Sequence, residues 1–250
     1  MASPLQFDFD GKQVLVIGGS TGIGNAAARL FKRCGAGVHV TGTRENAQSY
    51  GADDLADLEG LNYHRLDLAN PSALEAWSPD FARLDALILC HALTYFRGEE
   101  YQSDIFRRVV DINLNSVFDC AERFKPMLAT ARGSIVIVTS LAAYRTIPAQ
   151  PAYTASKSAL LGLVRALSMT YIADGIRVNG IAPGLARTKM GRIGHPKYEE
   201  LVEKTVRRIP MRRTGETEEM AGPILFLCSP LASYMIGQTL IVDGGMSLAS

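Results

Sequence analysis

Tyr153 and Lys157, in the run Tyr153-Thr154-Ala155-Ser156-Lys157, open a strongly helical segment, and a separation of four puts both side chains on one helix face. A free phenol with a pKa near 10 is ionised only about one part in a thousand at neutral pH. A neighbouring ammonium favours the phenolate, so this pair has the chemistry of a general acid/base. With 9 Tyr and 7 Lys in 250 residues the pattern arises by chance about 0.25 times, so its weight rests on its company. Ser140 stands thirteen residues upstream at the end of an apolar run, and Asn113 another twenty-seven before that. A second signal is Gly18-Gly19-Ser20-Thr21-Gly22-Ile23-Gly24, directly after the apolar run Gln13–Ile17. Glycines there let the chain turn sharply and offer N–H groups to a phosphate at a helix N-terminus.

The elements that must hold these groups follow from the apolar pattern. Short β-branched runs at Gln13–Ile17, Gly37–Thr41, Leu61–Leu66, Ala86–Leu89, Ser134–Thr139, Arg177–Ile181 and Thr239–Val242 read as seven strands covered on both faces. Helix patterns near Ile23–Arg33, Ser72–Trp77, Ile105–Leu128, Tyr153–Ala173, Tyr198–Arg208 and Thr217–Leu227 alternate with them. Such alternation predicts an α/β fold, a doubly wound parallel sheet with helices on both faces, which binds ligands at the carboxyl ends of its strands. No linker or repeat interrupts the chain, so residues 1–250 read as one domain. The irregular stretch 184–215, holding His195 and many basic residues, reads as a substrate lid.

Composition narrows the function classes. At 47% apolar content the chain has one large core, and with 26 basic against 25 acidic residues it lacks the field that gathers a polyanion, so nucleic acid and membrane surfaces are not expected partners. Apolar runs such as Ala86–Cys90 fall far short of the roughly 18 residues of a membrane span. The first ten residues carry no export signal, and the expected compartment is cytoplasmic. Cys34, Cys90, Cys120 and Cys228 stand singly, without metal-ligand spacing, and read as core thiols; no metal is expected.

The G-x-x-x-G-x-G turn, taken with Asn113, Ser140, Tyr153 and Lys157 at their intervals, resembles the short-chain dehydrogenase/reductase family over essentially the whole chain. From Glu99 to Val117 and from Gly222 to Gly245 the chain looks like the branch that contains 3-oxoacyl-carrier reductases and keto-sugar-acid dehydrogenases. The resemblance implies a Rossmann-type fold and hydride transfer between a nicotinamide cofactor and a carbonyl or secondary alcohol. Tyr153 would then be the general acid/base. Lys157 would tune it and bond the nicotinamide ribose, Ser140 would bond the substrate oxygen, and Asn113 would fix a water leading to Lys157. The cofactor would be held by Gly18, Ser20, Thr21, Gly22, Ile23 and Gly24, by Thr43 and Arg44 after the second strand, and by Asp67 and Leu68 after the third. Tyr153, Lys157, Pro183, Gly184, Ala186 and Thr188 would hold its nicotinamide end. No acid stands at Gly42 or Thr43 and Arg44 follows, which favours NADP(H) over NAD(H). Tyr95 and Tyr144, with Ser140 and Tyr153, are the candidate substrate contacts; Arg97, Arg145 and Arg187 could recognise an anionic group. The segment Gly237–Gly245 resembles the one through which relatives associate, so a homotetramer or homodimer is expected.

Two departures stand out. Ile17 replaces the threonine that usually opens the glycine turn, and Leu89-Cys90-His91-Ala92 replaces the usual Asn-Asn-Ala-Gly. His91 could face the cofactor or be satisfied in the core. Two other functions are compatible with the fold: an NAD(P)-binding regulatory or scaffold protein without turnover, and a halohydrin-dehalogenase-like lyase. The complete tetrad argues against the first, and Lys157 with the open glycine turn against the second.

Overall fold

A computed structural model describes residues 7–51, 54, 56–188 and 197–249. In chain order the elements are β1 (Gln13–Ile17), α1 (Gly22–Arg33), β2 (Gly37–Gly42), β3 (Asn62–Arg65), α2 (Pro71–Ala76), β4 (Ala86–Leu89), α3 (Ser103–Val110), α4 (Ser116–Ala131), β5 (Ser134–Val138), α5 (Pro151–Tyr171), β6 (Arg177–Pro183), α6 (Tyr198–Val206), α7 (Thr217–Cys228) and β7 (Thr239–Val242). All seven strands are parallel in the order β3-β2-β1-β4-β5-β6-β7. The side-chain period of two divides each strand between two cores. Val14 and Val16 face α1 and α7, whereas Leu15 and Ile17 face α2, α4 and α5. Burial on both faces explains why β1, β4 and β5 are apolar apart from their first residues Gln13 and Ser134. β3, at the sheet edge, is only partly covered and more polar, and it is shorter than the run Leu61–Leu66.

The sequence pattern over Ile105–Leu128 reads as one helix, but the structure divides it. Between α3 and α4 the residues Asp111–Asn115 form a π turn, whose wider hydrogen-bonding ring rotates the following helix relative to the preceding one. Hydrophobic periodicity cannot reveal an inserted residue of this kind. The stretch 184–215 is closed at its base, where Ala186 and Gly215 form a parallel bridge. Gly215 N–H donates to Leu185 O at 2.9 Å, and Arg187 N–H donates to Gly215 O at 3.2 Å. Within it α6 is helical, while residues 189–196, including His195, lie outside the described residues.

Among the described residues no helix is long and apolar enough to cross a membrane. One group there has metal-ligand composition, His39 on β2, His64 on β3 and Asp80. The two imidazoles address each other, with Nδ1 of His39 2.9 Å from Nε2 of His64, a hydrogen-bond distance; Asp80 Oδ1 lies 3.6 Å from the same Nδ1.

Candidate active site

Chain direction across the sheet reverses between β1 and β4, which pair side by side with Ile17 opposite Leu89. A crevice must open beyond their carboxyl ends. It is a cavity of about 550 Å³ lined by the glycine turn, the ends of β2 to β6 and the N-terminal part of α5. A second groove, of about 620 Å³ on the outer side of α1 and lined by Arg29, Arg33, Glu199 and Glu218, contains none of Ser140, Tyr153 and Lys157.

The glycine turn fits a diphosphate. Gly18 has φ 77° and a Cβ built there would stand 2.7 Å from the His91 backbone, so no side chain fits between the two strand ends. Thr21 precedes α1 without a side-chain cap, and the first turn carries no acid, leaving its N–H groups available to an anion. Gly18 N–H donates to Thr41 Oγ1 at 3.1 Å, so a hydroxyl from β2 steadies the turn that opens with Ile17.

Ser140 follows β5 in extended backbone, and its Oγ accepts from Ala142 N–H at 3.1 Å. This fixes the hydroxyl beside Tyr153, where it favours the ionised phenol. Lys157 lies one turn further along α5, 2% exposed, its Nζ 5.8 Å from the centre of the Tyr153 ring and donating to Val138 O at 2.9 Å. Burial pulls Lys157 down to about 8, against a smaller upward pull from Cys90. Burial also pushes the Tyr153 phenol above its ordinary value; the Ser140 hydroxyl opposes this, and Glu100 and Cys90 reinforce it. Burial thus outweighs the neighbouring ammonium at this partly exposed phenol, and that ammonium is turned to the Val138 carbonyl.

Asn113 comes from the π turn and is fully buried. Its Oδ1 accepts from Leu93 N–H at 2.6 Å, and its Nδ2 donates to Leu93 O at 2.8 Å and Ser156 Oγ at 3.2 Å. The side chain thus clamps the chain after β4 to α5. His91 combines both alternatives: it lines the cavity, its Nε2 lies 2.9 Å from Ser116 Oγ, and its Nδ1 is buried without a partner. Burial, with the Lys157 charge nearby, lowers its pKa to about 3, against a smaller upward pull from the Ile112 backbone.

The expected cofactor residues Gly18, Ser20, Thr21, Gly22, Ile23, Thr43, Asp67, Leu68, Pro183, Gly184, Ala186 and Thr188 all line the cavity; Gly24 and Arg44 do not. Arg44 instead forms a forked ion pair with Asp54, and its guanidinium lies 4.6 Å above the Tyr50 ring. Tyr95 and Tyr144 also stand outside the lining, whereas Leu93, Arg108 and Ile112 are within it. Arg145 donates to Met246 O and Arg187 to Thr214 Oγ1, which gives both arginines intramolecular partners. Asp54, Tyr50 and Arg108 were not identified from sequence, because only the packed fold brings them to the cavity and its rim.

A family model described as enoyl-(acyl carrier protein) reductase matches residues 18–247. The chain is 33% identical to a 3-oxoacyl-(acyl-carrier-protein) reductase of Chlamydia muridarum, covering 94% of this chain and 97% of that one. It is 31% identical to a 2-dehydro-3-deoxy-D-gluconate 5-dehydrogenase of Bacillus subtilis, covering 96% of each. Among solved structures, ligand-free aldohexose dehydrogenase of Thermoplasma acidophilum superposes with a TM-score of 0.86 at 26% identity, over 98% of both chains.

Proposed function

The chain belongs to the short-chain dehydrogenase/reductase family and is an oxidoreductase, and from that premise we propose that it transfers hydride between a nicotinamide dinucleotide and a carbonyl or secondary alcohol of a small molecule, with Tyr153 as general acid/base. The observation that supports this reading best is the shared cavity: the glycine turn at one end, and Ser140, Tyr153 and Lys157 at the other.

The dinucleotide, when bound, supplies or accepts the hydride; the rest falls to side chains. Gly18 to Gly24 and the first turn of α1 hold the diphosphate, Asp67 and Leu68 the adenine, and Pro183 to Thr188 the carboxamide. Ser140 Oγ and Tyr153 Oη converge on the substrate oxygen and stabilise the negative charge that grows there. In reduction Tyr153 Oη gives that oxygen its proton; in oxidation it removes it. Lys157, with a pKa of about 8, can exchange a proton near neutral pH, and its position beyond the phenol suits it to the ribose. Asn113 keeps the chain after β4 and α5 in register.

NADP(H) is put ahead of NAD(H) because no carboxylate stands at the end of β2 to repel a 2′-phosphate. A Cβ on Gly42 would fall 2.4 Å from Tyr50 Oη and 2.8 Å from Ser20, so none can be placed there without rearrangement. Arg44 is the nearby cation, and Asp54 limits the preference by matching its charge. The exposed apolar residues Phe118 on α4 and Met169 on α5 support a homotetramer or homodimer, and the expected location is cytoplasmic.

The deciding experiment follows nicotinamide absorbance with keto acids, cyclic ketones and keto sugars, for the wild type and Tyr153→Phe. Turnover that depends on the phenol supports the reading; cofactor binding without turnover of any of them favours a binding protein.

A further inference from the structure

Glu100 is fully buried, although its neighbours Glu99 and Tyr101 are exposed. The chain reaches it through two left-handed residues, Arg97 (φ 58°) and Gly98 (φ 78°), which turn the short segment Glu99–Tyr101 inward. A carboxylate without water must find donors. Oε1 accepts from Thr94 Oγ1 at 3.0 Å and Tyr95 N–H at 3.1 Å, and Oε2 accepts from Tyr153 N–H at 2.9 Å. Among the described residues no Lys, Arg or His side chain pairs with it.

The bond to Tyr153 has a specific origin. Gln150 precedes α5, Pro151 has no N–H, and Thr154 N–H makes the first bond within the helix, to Gln150 O. Ala152 and Tyr153 therefore keep N–H groups with no partner inside the helix. Gln150 makes no side-chain cap; its amide is turned to the chain after β4, where Nε2 donates to Thr94 Oγ1 at 2.9 Å and Tyr95 O at 3.4 Å. Glu100 supplies the cap from outside, and its negative charge suits the positive end of a 21-residue helix. The same carboxylate binds the chain that follows β4, so both walls meet at one residue.

We propose that Glu100 is a positioning residue for Tyr153, an external cap that fixes the first turn of α5 against Thr94 and Tyr95 and so sets where the phenol stands. This rests on the reading of Tyr153 as the acid/base. The groups facing the phenol are Lys157 from its own helix, Cys90 after β4, Ser140 after β5 and Glu100 itself. Glu100 therefore acts twice: it holds the backbone of Tyr153, and its charge keeps the phenol protonated to higher pH.

The test reads Tyr153 without substrate or cofactor. Tyrosinate absorbance is titrated for the wild type and for Glu100→Gln, each minus its Tyr153→Phe counterpart, which isolates one phenol. Removing the charge is expected to move that titration to lower pH. Hydrogen exchange supplies the second readout: in Glu100→Ala the Tyr153 amide is expected to exchange about tenfold faster or more, while amides in the middle of α5 keep their rates. Glu100→Asp, which keeps the charge on a shorter arm, serves if the alanine variant does not fold, and should free the amide while leaving the titration nearer the wild type. An unchanged titration in Glu100→Gln, or faster exchange spread evenly along α5, overturns the proposal. Full turnover in Tyr153→Phe would instead overturn the acid/base reading and leave the titration and exchange results standing.

Discussion

Arg44 and Asp54 are joined by two parallel hydrogen bonds, Nη1 to Oδ2 at 2.7 Å and Nη2 to Oδ1 at 2.8 Å, beside the end of β2 where the adenosine half of a cofactor would lie. The carboxylate is largely buried and the guanidinium only partly so, which leaves the cation oriented and its charge already matched.

Cofactor choice should therefore respond in opposite senses to the two partners. Arg44→Ala is expected to weaken NADP(H) by about ten- to a hundredfold, the worth of a charge-assisted hydrogen bond, and to leave NAD(H) nearly unchanged. Asp54→Asn, which releases the arginine, should raise the ratio of NADP(H) to NAD(H) affinity. Dissociation constants for both cofactors check this. A ratio that falls in Asp54→Asn would mean that Asp54 is needed to present the arginine.

Loss of the phenol should affect turnover far more than binding. Tyr153→Phe is expected to lower kcat by at least about a hundredfold with cofactor affinity little altered. Lys157→Ala should reduce both, since the ammonium serves phenol and ribose together. Steady-state kinetics beside direct cofactor titration separates the two.

Acid should destabilise the fold through its buried imidazoles. Burial lowers the pKa of His91 to about 3, and it also lowers His39 and His64. Each is neutral when folded but takes a proton near pH 6.5 when unfolded. Stability is thus fully present above that value and falls as pH drops toward the folded pKa, by on the order of a few kcal/mol for His91. Denaturant unfolding from neutral to acid pH should show this slope, and His91→Ala should make it shallower.

The closest approach of β1 and β4 is also testable. Gly18→Ala places a methyl against the His91 backbone at a positive φ, so cofactor affinity should fall at least about tenfold. Retained affinity in calorimetry would show that the two strand ends can separate.

The sheet, its strand count and most helix limits were legible because a parallel sheet covered on both faces leaves continuous apolar runs, such as Gln13–Ile17 and Ser134–Val138. The family resemblance likewise pointed to residues that line the cavity, from Gly18 to Thr188. What it missed depends on side chains meeting across long sequence separations. Nothing local marks Glu100 rather than Glu99 as the acid that turns inward, or Asp54 as the partner of Arg44. The π turn at Asp111–Asn115 was hidden for a different reason: one extra residue per turn changes the phase of a helix without changing its composition.

The clasp between Ala186 and Gly215 is made by main-chain atoms, so its bonds place no demand on the identity of the side chains enclosed between them. Whatever those side chains are, the ring re-enters the framework at the same point. Exposed positions of that piece can therefore change without opening the clasp, whereas Ile209 and Thr214, both buried, are held by their packing.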